Sequence, residues 1–202
     1  MNLTFEDYDP KKHDSHMVTG LMYQADIEMN SLFFGSEKDC LSINEELINL
    51  EKKYLKPENI KLALLDDEIV GLAIHFNVSE KSRFDLAIGR LLVKTMGLRW
   101  VLKQIFLFIK ARNLGGGSME QDGRYIYNLC VNSAYRGRGI GAALMNRLFE
   151  KYHKLYLHVN INNHRGQKFY KRMGFVQKSR RVISYKGKEF GEYLMEKKYI
   201  QN

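Results

Sequence analysis

Hydrophobic and polar positions change period several times along the chain, and each change predicts an element. Leu3–Tyr8 reads as a short first strand. Ser15–Asn30 and Ile43–Leu55 read as helices; in the second, Ile43, Leu47, Leu50 and Tyr54 recur at helical spacing. Two apolar runs, Ile60–Leu65 and Ile69–Phe76, flank Asp66-Asp67-Glu68, the pattern of a β-hairpin. Phe84–Arg112 has helical character with a break expected near Gly97, and 113–123 is a glycine-rich loop. Arg124–Val131 is an aromatic, β-rich strand. Beyond it Ile140, Ala143, Leu144, Arg147 and Leu148 mark a helix with one mostly apolar face. Leu155, Leu157 and Val159 alternate as a strand, and Asn163–Met173 is a helix that Gly174-Phe175 closes. Val182–Tyr185 and Tyr193–Tyr199 form a last hairpin turning near Gly187. This order predicts an α/β fold with a mixed sheet and flanking helices. The 202 residues suit one core, hence a single domain over 1–202.

Composition narrows the classes. Hydrophobic residues at 45% and charged residues at 27% exclude intrinsic disorder. The most lipid-like stretch, Leu86–Ile109, is interrupted by Arg90, Lys94, Arg99 and Lys103, which argues against a membrane span and leaves a basic amphipathic helix. Cys40 and Cys130 are far apart and belong to no Cys/His cluster, so no metal site is expected. An acidic start without a basic and apolar leader argues against secretion, and a reducing cytoplasm is the expected location. The net charge of +9 is uneven: residues 1–81 hold 8 Lys/Arg against 16 Asp/Glu, and residues 136–188 hold 14 against one. The later part is built to face an anion, either nucleic acid or a polyphosphate cofactor.

The strand 124–131 runs into Arg136-Gly137-Arg138-Gly139-Ile140-Gly141-Ala142 and then a helix. Glycines let backbone approach a ligand, and a helix start offers free N–H groups and the positive end of its dipole. The product is an anion site suited to a pyrophosphate. A Walker loop would need Lys-Ser/Thr after the last glycine, where Ala142 stands, and the spacing misses Gly-x-Gly-x-x-Gly. A merely structural tight turn is the remaining alternative.

Arg136-x-x-Gly139-x-Gly141 resembles the Gln/Arg-x-x-Gly-x-Gly/Ala signature of GCN5-related N-acetyltransferases (GNAT). Downstream, Asn163-x-x-Gly166-x-x-x-Tyr170-x-x-x-Gly174-Phe175 is similar to a second element of that family, with Gly166 in place of alanine. The detailed likeness spans 124–176; 82–123 looks like a helical and loop insertion before the central strand, to which no family role carries over. The resemblance implies acetyl-CoA as co-substrate, bound by the backbone from Arg136 through Gly137, Arg138, Gly139, Ile140 and Gly141 to Ala142. Leu129, Cys130 and Val131 would run beside the pantetheine arm, and the Leu129 N–H would polarise the thioester carbonyl. Asn163 would touch that arm or simply cap its helix. Arg138 or Arg165 would meet the adenosine phosphates unless they are plain surface arginines. Tyr170, protonated at neutral pH, would donate to the leaving sulfur.

No family position supplies a general base, because the central strand opens Arg124-Tyr-Ile-Tyr; Asp122, Glu28 and an ordered water are the candidates. The function implied is transfer of an acetyl or short acyl group to a primary amine on a small molecule, peptide or protein. A CoA-binding regulatory module without turnover and a basic nucleic-acid-binding protein are the alternatives. The basic residues surround the glycine turn rather than interleaving with aromatics on a strand, which disfavours nucleic acid. Asp26 and Glu28 make a cationic acceptor attractive, whereas Arg90, Arg99 and Lys103 oppose it if the insertion lines the cleft. The closing hairpin gives a homodimer a place to pair.

Overall fold

In the computed structural model, which describes residues 2–49, 55–111, 114 and 116–198, the apolar runs pair into one seven-stranded sheet of order β1-β2-β3-β4-β5-β7-β6. The strands are β1 (Leu3–Asp7), β2 (Ile60–Leu65), β3 (Glu68–Asn77), β4 (Arg124–Val131), β5 (Lys154–Asn160), β6 (Val176–Tyr185) and β7 (Lys188–Lys198). Neighbours are antiparallel except β4 and β5, which are parallel and joined by a helical crossover, as parallel strands require. Both hairpins turn on two residues of positive φ, Asp66-Asp67 and Lys186-Gly187. That backbone twist matches the twist of the paired strands.

The helices are α1 (Ser15–Ala25), α2 (Ile27–Phe34), α3 (Glu37–Asn49), α4 (Lys81–Met96), α5 (Leu98–Lys103), α6 (Ile105–Ala111), α7 (Ile140–Lys151) and α8 (His164–Arg172). Two cores follow from the period-2 alternation of the strands. On one face Leu62, Leu72, Ile74 and Phe76 meet Met22 of α1, Leu47 of α3 and Phe84 of α4. On the other, Ala63, Ala73, Leu155, Leu157 and Val159 meet Ile140, Leu144 and Leu148 of α7.

Five elements differ from the sequence expectation, two of them by an early start alone: the helix expected over 43–55 begins at Glu37 and the strand expected over 193–199 begins at Lys188. The helix expected over 15–30 is two helices, broken at Asp26, whose φ of −151° is not helical and whose carboxylate caps α2 by accepting from the Met29 N–H at 3.1 Å. The insertion breaks at Gly97, as expected, and again at Gln104. Strand β6 begins at Val176, six residues early, because it is an edge strand whose outward positions tolerate Lys178 and Arg180. Leu50 and Tyr54 of the expected second helix, Arg112 and Tyr199 lie outside the described residues.

Two histidines, the buried His75 and the partly buried His158, are held as neutral rings. The Arg124 guanidinium donates to His75 Nδ1 at 2.9 Å, and burial together with the cations Arg124, Lys61 and Lys151 pushes the His75 pKa down to about 3. Burial likewise takes His158 down to about 4. Unfolded, both would titrate near 6.5, so below that pH the unfolded chain binds more protons and stability falls as pH falls. The loss is at most roughly 3 kcal/mol per ring by pH 4. Urea unfolding of wild type should weaken steadily from pH 7 to pH 4.5, and His158→Gln should remove about half of that slope. An unchanged slope in the variant would assign the acid sensitivity elsewhere.

Candidate active site

The parallel pair is short. Only Arg124↔Leu155, Tyr125↔Tyr156 and Ile126↔Leu157 are matched. Beyond them β4 stays with β3 to Val131 while β5 stays with β7 to Asn160. The β3–β4 register shifts between Ile74 and His75, which leaves Tyr127 as a bulge in β4. A bulge bends its strand, and the two strands part where it lies. A cavity of about 210 Å³ opens into the gap, walled by Asn128 and Leu129 on one side and Val159 and Asn160 on the other. The α1–α2 joint and Tyr170 of α8 close it.

The glycine turn follows the end of β4. Asn132 caps a 3-10 turn over Ser133–Tyr135, accepting from the Ala134 N–H at 3.1 Å. Gly137 and Gly139 then take φ of +83° and +82°, a left-handed region that side chains enter at a cost. A Cβ on either would point into open space. Gly139 is the N-cap of α7 and supplies no side-chain cap, so the first N–H groups of that helix have no intrahelical partner. The turn is stiffened from its sides. Arg136 Nε donates to the Val131 carbonyl at 2.8 Å, Arg138 stacks on the Tyr135 ring at 5.3 Å, and the Tyr135 hydroxyl donates to Glu68 at 2.8 Å. The Arg136 side chain is thus folded onto its own strand. Ile140 is buried against the sheet and anchors the helix start, while Gly141 packs beside Phe169 and Val131 and Ala142 stays partly exposed.

At the other end, Tyr170 is held by edge contacts with Phe169 and Phe175 at centroid distances of 5.2 and 5.7 Å. Burial pushes its pKa above the ordinary tyrosine value, so the ring keeps its proton. Asn163 lines the cavity, and its side chain caps α8 by accepting from the Gly166 N–H at 2.8 Å. Of the strand residues, Leu129 lines the cavity, whereas the Cys130 side chain is buried in the opposite core.

Several groups in the cleft were not assigned from the sequence. Asp26, named there only as an acceptor-side acid, lines the cavity, and burial raises its pKa. Asn160 donates to Asp26 at 3.3 Å and to Glu28 at 2.7 Å, and Asn162 also donates to Glu28. These partners are more than 130 residues away in sequence, so no local pattern announces them. Asn128 donates to the Met22 carbonyl, and its Oδ1 is buried with no partner among the described residues. His158 must donate from Nε2 to the Gly116 carbonyl at 3.1 Å, which leaves Nδ1 to accept from the Tyr125 hydroxyl at 2.9 Å. Asp122 is outside this group: at the start of β4 it is ion-paired to Lys154 at 3.0 Å and does not line the cleft. Arg165 is exposed on α8, and Arg90, Arg99 and Lys103 are exposed on the insertion rather than in the cleft. Among the described residues, the charged ones lining the cavity are Asp26 and Glu192, both acids.

The acetyltransferase (GNAT) family model matches residues 30–175. No curated protein matches the chain. Among solved structures, an N-acetyltransferase from Staphylococcus aureus Mu50 is similar with a TM-score of 0.67 and 21% identity, covering 95% of this chain and 99% of its own. A protein described as histone acetyltransferase HPA2 and related acetyltransferase, from Corynebacterium glutamicum ATCC 13032, has a TM-score of 0.63 and 20% identity over 100% and 99%. A GNAT family acetyltransferase from Elizabethkingia anophelis with acetyl-CoA bound has a TM-score of 0.55 and 16% identity over 98% and 99%. At these identities the likeness is one of fold.

Proposed function

Because the chain belongs to the GNAT acetyltransferase family, we propose that it transfers an acetyl or short acyl group from CoA directly to a primary amine. The observation that carries this reading is the gap between β4 and β5, with an uncapped helix start following one end and Tyr170 at the other. Backbone N–H groups from Arg136 to Ala142 take the pyrophosphate. The pantetheine arm lies in the gap as a missing strand would, beside Leu129 and Val131 and close to Asn163. The Leu129 N–H stabilises negative charge developing on the thioester oxygen. Attack by the amine forms the C–N bond, the C–S bond breaks, and Tyr170 donates to the departing thiolate.

Asp26 takes the proton that the attacking amine loses. It lines the cavity, and burial raises its pKa, which makes it a better base than an ordinary aspartate. Asn160 and the Met29 N–H fix its direction. With Asp26 and Glu192 as the charged lining, the acceptor is a cationic or amine-rich molecule, drawn to the end of the cleft opposite the phosphates.

A screen of amines with acetyl-CoA, read by thiol release, tests the whole reading; acetyl-CoA binding without turnover of any amine would leave a regulatory module instead. Within that screen, Asp26→Asn should lower turnover by about a hundredfold or more. It should also abolish the loss of rate on the acid side that protonation of Asp26 causes in wild type. Dicationic acceptors should be preferred, and less so in high salt. A steady preference for carboxylate-bearing acceptors would sink the charge assignment while leaving the chemistry intact.

A further inference from the structure

Seven of the ten exposed large hydrophobics among the described residues lie in α4, α5 and α6. Phe106 is 73% exposed, Leu86 65%, Ile109 61%, Leu98 60% and Leu102 56%. Buried residues of the same helices account for their inner sides: Phe84, Leu91 and Leu92 of α4 and Leu107 of α6 are in the core. The outer sides are therefore apolar in excess of what packing needs, and apolar patches of this kind mark interaction surfaces. Interleaved with them are Arg83, Arg90, Arg99 and Lys103, all exposed. Residues 82–111 hold six Lys/Arg and one acid, Asp85, which is paired with Lys81. No helix among the described residues is long and apolar enough to cross a membrane.

We infer that α4–α6 form a peripheral docking surface for an anionic lipid bilayer, lying in its headgroup layer with Leu98, Leu102, Phe106 and Ile109 inserted. Exposed apolar side chains mixed with arginine and lysine on short helices are the composition that interfacial helices use. Each basic residue near an anionic surface adds attraction that a neutral surface lacks. A second copy of the chain fits less well. A two-fold contact through this patch would bring two copies of the same basic surface together, like charge near like.

The test is co-sedimentation of the full-length protein with vesicles of phosphatidylcholine alone or mixed equally with phosphatidylglycerol. Binding is expected to the anionic vesicles, to weaken in high salt, and to fall at least tenfold in the double variant Phe106→Ser, Ile109→Ser. Both side chains are outside the core, so thermal unfolding and thiol release in solution should be unchanged in that variant. Arg99→Gln, Lys103→Gln should weaken binding with its salt dependence reduced. Full retention of binding by the serine variant would mean generic attraction of a chain of net charge +9 and would overturn the proposal. So would absence of binding at low salt. Sedimentation velocity supplies the remaining outcome: a dimer that the serine variant dissociates assigns the patch to a second copy and overturns the bilayer.

Discussion

Phenylalanine at position 170 is expected to lower kcat by ~10²–10⁴-fold with little change in the KM for acetyl-CoA, since it removes a proton donor and keeps the ring. The side chain lines the cleft and is wedged between Phe169 and Phe175, so the variant should keep its shape. Burial disfavours the phenolate. The same dry surroundings disfavour a bare thiolate, which raises the demand for a hydrogen bond as the C–S bond breaks. The measurement is single-turnover kinetics under conditions where chemistry limits the rate. A change below about threefold returns Tyr170 to a packing role.

Gly139→Glu is expected to weaken CoA binding on the order of 10²-fold or more. Unit charges about 4 Å apart near a protein surface interact by roughly 4 kcal/mol, and the new carboxylate would stand where a pyrophosphate belongs. Backbone strain contributes separately, because Gly139 has a φ of +82°. Gly139→Ala carries that strain without the charge and should show a much smaller loss. Gly141→Ala should be milder still, since a Cβ there would make ordinary contacts with Phe169 at 3.6 Å and Val131 at 3.7 Å. Calorimetric titration with CoA, with melting curves to confirm folding, ranks the three. Equal affinity for the glutamate variant and the parent would remove the cofactor from this turn.

What could be read in advance was local in sequence. The turn 136–142 declares itself through glycines that must take positive φ, and α8 through Asn163 at its cap and Gly174 beyond its end. The break at Asp26 was hidden because apolar residues keep their helical spacing across it, while the cap that enforces it is a single side chain. Strand β6 was hidden because an edge strand with one wet side need not look like a strand. Asp26, Asn128 and Asn160 become a group only when β4, β5 and the α1–α2 joint meet, and nothing near any of them in the chain says so. Asp122, which looked available, is claimed by Lys154 across the β4–β5 start.

The short β4–β5 match also has a mechanical side. Within the sheet, two arms, β1 to β4 and β5 to β7, are matched to each other at three residue pairs. Such a seam is where small opening fluctuations should concentrate, since few hydrogen bonds need to yield. Any ligand that spans both arms would restrict that breathing, and by linkage the stability it confers would grow with its concentration as RT ln(1 + [L]/Kd). Occupancy of the cleft would then be felt in the far edge strand β6, which reaches the other arm through β7 and β5.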